Sequence, residues 1–217
     1  MKLILTIGIL SFSLFMAACE DPAANKFRAL TAESSAPAAN VQAAPAKHAV
    51  GEELTLNPDN SKVLFVGSKV TGKHDGGFGI FTGTINLVNA TPQDSRVWVD
   101  IETASVFTDT DGLTKHLQTG DFFETEKFPK ASFASTNIVP DERGADAFMV
   151  TGDLELRGQK KAVTFPAVIK VAPDSVSVAA EFAINRKDFG IVYAGKADDL
   201  IREDVVIKLD LNSPRKQ

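Results

Sequence analysis

Apolar and polar residues alternate with a period of two along most of the chain beyond residue 50. From Phe148 to Arg157 the even positions are apolar or glycine, and the odd positions after Met149 are polar. That is the pattern of a strand with one buried face. Val163, Phe165, Ala167, Ile169 and Val171 repeat it, as do Val176, Val178, Ala180, Phe182 and Ile184, and later Val205, Ile207, Leu209 and Leu211. Val97, Val99 and Ile101 alternate against Trp98, Asp100 and Glu102. The spacing predicts strands over 62–70, 78–89, 96–105, 131–139, 146–157, 161–172, 175–185 and 203–212.

Turn-forming sequence separates several of these runs: Asp141-Glu142-Arg143-Gly144, Arg157-Gly158-Gln159-Lys160 and Pro173-Asp174-Ser175. Connections this short make neighbouring strands antiparallel. Eight antiparallel strands, each with one apolar face, predict an all-β domain over 50–214, built as a closed barrel or a sandwich. An eight-stranded barrel has room for its own side chains or for one small ligand.

Two segments interrupt the alternation. Residues 106–130 hold a helix-like stretch, Asp111 to Thr119, followed by Phe122, Phe123 and Phe128; residues 186–202 show no period at all. Insertions of this length in a compact β domain serve most often as lids or mouths. Bulky apolar side chains there must be buried, and the nearest apolar space is a barrel end. The 106–130 segment is therefore expected to plug one mouth, with 186–202 flanking the same opening.

The N-terminus reads differently. Lys2 precedes an apolar run from Leu3 to Ala18, shorter than the roughly 20 residues a spanning helix needs. Residues 1–18 are expected to be a signal peptide. Met16-Ala17-Ala18-Cys19 resembles a bacterial lipobox with Met where Leu is usual, so Cys19 is the expected lipidation site. Residues 19–49, rich in Ala and broken by Pro22, Pro37 and Pro45, are expected to be a flexible tether. These features place the protein in the bacterial cell envelope, facing the periplasm, without choosing between inner and outer membrane.

Composition narrows the chemistry. The net charge is −5 with no basic block, which excludes ordinary nucleic-acid binding by phosphate neutralisation. The single Cys rules out an internal disulfide or a Cys-based zinc site. His74 and His116 lack paired metal-ligand spacing, so no metal is expected. No Gly-x-Ser-x-Gly elbow or phosphate-binding loop is present. Of the 15 Phe, 12 lie beyond residue 60, a large supply of apolar bulk with almost no polar handles.

Three stretches carry a resemblance to a known family. One runs from Lys115-His116-Leu117 through Gly120-Asp121-Phe122-Phe123-Glu124 to Phe128-Pro129-Lys130-Ala131-Ser132-Phe133-Ala134-Ser135-Thr136. The others are Val150-Thr151-Gly152-Asp153-Leu154-Glu155-Leu156-Arg157-Gly158 and Phe182-Ala183-Ile184-Asn185-Arg186-Lys187-Asp188-Phe189-Gly190. Over residues 52–212 the chain resembles the YceI-like family. The resemblance implies a lipocalin-like antiparallel barrel, non-catalytic, that holds a polyisoprenoid, a quinone or another apolar lipid. The loop Gly72 to Gly79 is richer in Gly than the commoner family form.

On this reading the ligand is the lipid itself and no cofactor is expected. Phe148, Leu154, Phe165 and Phe182 lie on the apolar parity of their strands and should point inward. Phe65, Phe78, Phe81 and Phe133 are further lumen candidates. His116, Phe123, Phe189 and Tyr193 are expected at the mouth. His74, Arg186 and Tyr193 are candidates for contact with a head group. The rivals are an envelope interaction module with a filled barrel and a lipid-modifying barrel enzyme. A homodimer is left open.

Overall fold

The computed structural model describes residues 21–34 and 51–215. The predicted signal peptide, Cys19 and residues 35–49 of the predicted tether lie outside the described residues. The strands are β1 Phe27–Arg28, β2 Leu30–Glu33, β3 Glu52–Leu56, β4 Lys62–Lys69, β5 Gly72–Phe78, β6 Phe81–Leu87, β7 Arg96–Glu102 and β8 Val106–Thr108. After helix α1, Asp111–Leu117, come β9 Lys130–Pro140, β10 Ala147–Leu156, β11 Gln159–Val171, β12 Ser175–Asn185, β13 Gly195–Lys196, β14 Asp199–Leu200 and β15 Asp204–Pro214.

One antiparallel sheet runs β3-β6-β7-β9-β10-β11-β12-β15-β4-β5-β8 and curls on itself. Its β3 edge returns beside β15, where Ser213 Oγ donates to the Thr55 carbonyl at 2.9 Å. Arg215 Nε and Glu52 pair there at 2.9 Å. The all-β class and the antiparallel neighbour order agree with the alternation. The strand count does not: eight strands were expected, and among the described residues this sheet has 13.

Part of the difference lies in β5, read from sequence as a Gly-rich loop. Gly76 and Gly77 are buried in that strand. A Cβ on Gly76 would stand 2.5 Å from the Phe65 ring. The glycine is there because the neighbouring aromatic lies across the bare backbone. Two bends account for more. β5 and β6 are one long strand bent at Gly79-Ile80, and β7 and β8 are its bent partner, joined by a 3₁₀ turn at Thr103–Ser105.

The described N-terminal residues overturn the expectation of a free tether. β12 pairs with β15 along Ser175–Asn185, but with β11 only at Val176–Ala179. Beyond that point β11 and β12 splay. β1 pairs parallel with β12 at Phe182 and Ala183, and β2 pairs antiparallel with β11 at Lys161–Thr164. The 27–33 segment is thus an extra strand inserted between them. Ion pairs of Lys26 with Glu181 and of Glu33 with Lys161 fasten it, and Ala23 packs on Val66, Ala183 and Val206.

Two apolar clusters fill the barrel along its axis. The larger gathers Phe65, Phe122, Phe148, Phe165, Phe182 and Phe189 with α1 and the 186–202 segment. The smaller lies toward the far end, where Leu54, Leu56, Ile85, Leu87, Val99 and Leu211 meet.

Candidate ligand-binding cavity

The two clusters meet through Phe78, Ile101, Val178 and Leu209, which pack against both. A cavity of about 500 Å³ runs past these residues along the barrel, within the 300–1,000 Å³ range of ligand pockets. Its upper wall is aromatic. Phe165 and Phe182 stack at 4.1 Å and 9°, and Phe133 leans on Phe165 at 5.6 Å. This stack bridges β11 and β12 inside the barrel where their backbones part. Gly152 makes room for it, since a Cβ there would meet the Phe133 ring at 2.4 Å. Phe65, Phe78 and Phe123 continue the wall, with ring centroids 5.9 and 5.6 Å apart in turn. The far half is mainly aliphatic, lined by Val63, Ile85, Val97, Val99 and Leu211, with Ser95 and Arg96 beside them.

The mouth is built by both interrupted segments. His116 on α1 meets Tyr193 edge-on at 5.2 Å, and Phe122 touches both, at 5.0 Å and 5.5 Å. Leu113, Leu117 and Phe123 from one segment and Ile191 and Tyr193 from the other face the cavity. The 106–130 and 186–202 segments do share one opening. Arg157, not singled out from sequence, braces them: its guanidinium donates to the Gly120 carbonyl at 2.6 Å and to the Gly190 carbonyl. It also pairs with Glu124 at 3.4 Å.

The polar groups at the mouth are mostly occupied. Arg186 is 4% exposed. It donates to the Arg202, Ile191 and Ile201 carbonyls at 3.0, 2.6 and 3.2 Å. Burial lowers its pKa from the ordinary arginine value, with Glu203 acting the other way. The side chain lines the cavity, yet its donors are turned to the backbone of the second segment. Its evident work is to hold that segment in shape rather than to present a free cation.

His74 lies in β5 rather than in a loop. Its Nδ1 sits 2.8 Å from Asp109, whose pKa is lowered mainly by this hydrogen bond. His116 Nε2 sits 2.8 Å from Asp121. Lys69 pairs with Asp199 at the lip and lowers the Asp199 pKa. Among the described residues no three His, Cys, Asp or Glu side chains converge as a metal site would require.

Eleven of the fourteen predicted ligand residues line the cavity: Phe65, His74, Phe78, His116, Phe123, Phe133, Leu154, Phe165, Phe182, Arg186 and Tyr193. Phe81, Phe148 and Phe189 do not. They are 2, 6 and 0% exposed and packed behind the wall. For Phe81 and Phe148 strand parity fixes the face and not the depth, and Phe189 closes a 3₁₀ turn that turns its ring into the core. The aliphatic far half and the lip residues Lys69 and Asp199 were missed as cavity residues. Alternation at Val97, Val99, Leu209 and Leu211 was the available signal for the far half.

A family model described as the YceI-like domain matches residues 54–213. The chain belongs to the YceI-like family. It is 32% identical over 140 residues to a UPF0312 protein of Pseudomonas putida strain W619, covering 61% of this chain and 71% of that one. It is 37% identical over 122 residues to Protein YceI of Escherichia coli O6:H1, covering 54% and 62%. Among solved structures, BcnA of Burkholderia cenocepacia superposes with a TM-score of 0.60 at 22% identity, covering 70% of this chain and 95% of that one. A polyisoprenoid binding domain from Saccharophagus degradans, implicated in plant cell wall breakdown, gives 0.60 at 16% identity, covering 76% and 99%. The inserted strand at 27–33 lies upstream of the residues that the YceI-like domain matches.

Proposed function

We propose that this protein binds a long apolar chain, an isoprenoid lipid or an isoprenoid quinone, in the barrel lumen. In this reading it sequesters or carries that lipid in the bacterial cell envelope, held to a membrane through lipidated Cys19. The observation that carries the reading is the cavity: about 500 Å³ and walled chiefly by aromatic and aliphatic side chains. Binding there is driven by apolar area removed from water, about 25 cal/mol per Å². That favours affinity for chain length over selectivity for chemical detail. The polyisoprenoid binding domain of Saccharophagus degradans, with the same fold, supports isoprenoids as the first class to test. The role is one of binding rather than catalysis, and no step of bond making is assigned to any residue.

Native mass spectrometry of the purified protein tests the ligand. A co-purifying apolar mass, or saturable uptake of an added isoprenoid quinone, supports the carrier. A ligand-free protein that takes up no quinone favours an interaction module instead. Metabolic labelling with a fatty-acid analogue tests the anchor: Cys19→Ser should abolish labelling and release the protein from membranes. Equal labelling of both forms defeats it.

A further inference from the structure

The cavity opening is edged by side chains that a water-facing surface does not require. Val70 is 55% exposed, Val192 64% and Leu200 50%. Val70 lies on a turn, Leu200 ends β14 and Val192 lies in the 186–202 segment, beside residues that line the cavity. The Val70 N–H donates to the Leu200 carbonyl at 3.1 Å, and their neighbours Lys69 and Ile201 line the cavity. Val192 stands between Ile191 and Tyr193, which line it too. Lys69 pairs with Asp199 and Arg202 with Asp21, while Lys196, which also lines the cavity, meets no carboxylate among the described residues. The lip therefore offers aliphatic area with an exposed cation, Lys196, beside it.

A second observation concerns where the chain arrives. Asp21 is held on Arg202 at 3.2 Å, one residue from Ile201 in the cavity wall. In sequence, the apolar run 3–18 and Cys19 stand just upstream. Two residues span at most about 7 Å, so a lipid on Cys19 would join the protein at the mouth and not at the far end.

We propose that the lip docks on a lipid bilayer, with Val70, Val192 and Leu200 against its apolar boundary and the cavity opening facing the membrane. A prenyl chain leaving this cavity into water would expose its whole apolar surface; passage directly into a bilayer avoids that barrier. The proposal rests on the lipid-carrier reading of the cavity. Docking draws on apolar contact, with Lys196 placed to meet an anionic headgroup, in the manner of other interfacial surfaces.

The test uses residues 19–217, the expected mature chain, carrying Cys19→Ser, so that neither the apolar run 3–18 nor a lipid anchor contributes. The protein is loaded with a ubiquinone from ethanol and mixed with vesicles of phosphatidylethanolamine and phosphatidylglycerol holding a quinone-quenched fluorophore. The transfer rate should rise with vesicle concentration, the mark of collision. Val70→Ser, Val192→Ser and Leu200→Ser combined should load equally and melt alike, yet transfer about tenfold more slowly. Transfer at the parental rate, or a rate independent of vesicle concentration, overturns the docking lip. Failure of the parental protein to load defeats the carrier reading instead. The lip is then judged by co-sedimentation of the empty protein with the same vesicles, where equal binding by the parent and the triple variant overturns it.

Discussion

Adjacent phenylalanines at the mouth should respond differently to truncation. Phe122 is 6% exposed and sits edge-on to both His116 and Tyr193. Phe123 is only partly buried, touches Phe78 at 5.6 Å and faces the cavity. Removing a buried Phe ring costs about 3–5 kcal/mol, so Phe122→Ala should cost about 4 kcal/mol. At about 2–4 °C per kcal/mol for a chain of this size, its melting temperature should fall by about 12 °C. Somewhat less area is withdrawn from water at Phe123, so Phe123→Ala should cost less, about 3 kcal/mol and about 9 °C. Its distinctive effect is on ligand release. Losing about 50 Å² of contact with a bound chain, at about 25 cal/mol per Å², weakens binding by roughly 1.3 kcal/mol, or about tenfold. That loss should fall on the off-rate. Thermal melts and stopped-flow displacement of a ubiquinone on both variants decide the matter. Equal losses of melting temperature, with the Phe123→Ala off-rate unchanged, would show that both rings merely seal the core and that no gate exists.

Phe165→Asp places a carboxylate inside the aromatic stack and should cost several kcal/mol and quinone uptake, whereas exposed Lys170→Gln should change stability by under about 0.5 kcal/mol; similar melts would mean the β11 register is wrong. Arg186→Met leaves three backbone carbonyls without their donor and should cost about 3 kcal/mol or more by urea titration, with proteolysis appearing first within 186–202. Asp100 has its pKa raised chiefly by burial. Its charged form therefore opposes folding above that raised value, and not below the unfolded pKa, where both states are protonated. Asp100→Asn should stabilise the protein at pH 7, and the gain should vanish as pH drops below about 4; a gain that persists in acid would refute the assignment.

The strands that announced themselves in the sequence are those whose period survives in their own side chains. β10, β11, β12 and β15 alternate over seven to ten residues each, and their pairing followed from short turns. β5 was illegible because glycine has no side chain with which to alternate; its strand character is written in Phe65, whose ring occupies the space a Cβ would take. The inserted strand at 27–33 was illegible for another reason. Its composition suits a linker, and its partners Lys161–Thr164 and Phe182–Ala183 are remote in sequence. Within the cavity, parity placed Leu154, Phe165 and Phe182 correctly on the inner face, and convergence of the two interrupted segments was legible from the apolar bulk they carry. Arg157 escaped notice because its task is set by two backbone carbonyls that only the folded chain brings near it.

The strand between β11 and β12 also orders events in time. Glu33 and Lys161 are separated by 128 residues. At synthesis rates of about 5–20 residues per second, the 27–33 segment waits roughly 10 s before its slot exists. Sealing the barrel wall is thus reserved for a chain that is nearly complete. A version trimmed to 54–213 would reach the same end point with a slot of about 10 Å between two bare strand edges. Such edges recruit whatever strand is at hand, including the equivalent segment of another copy.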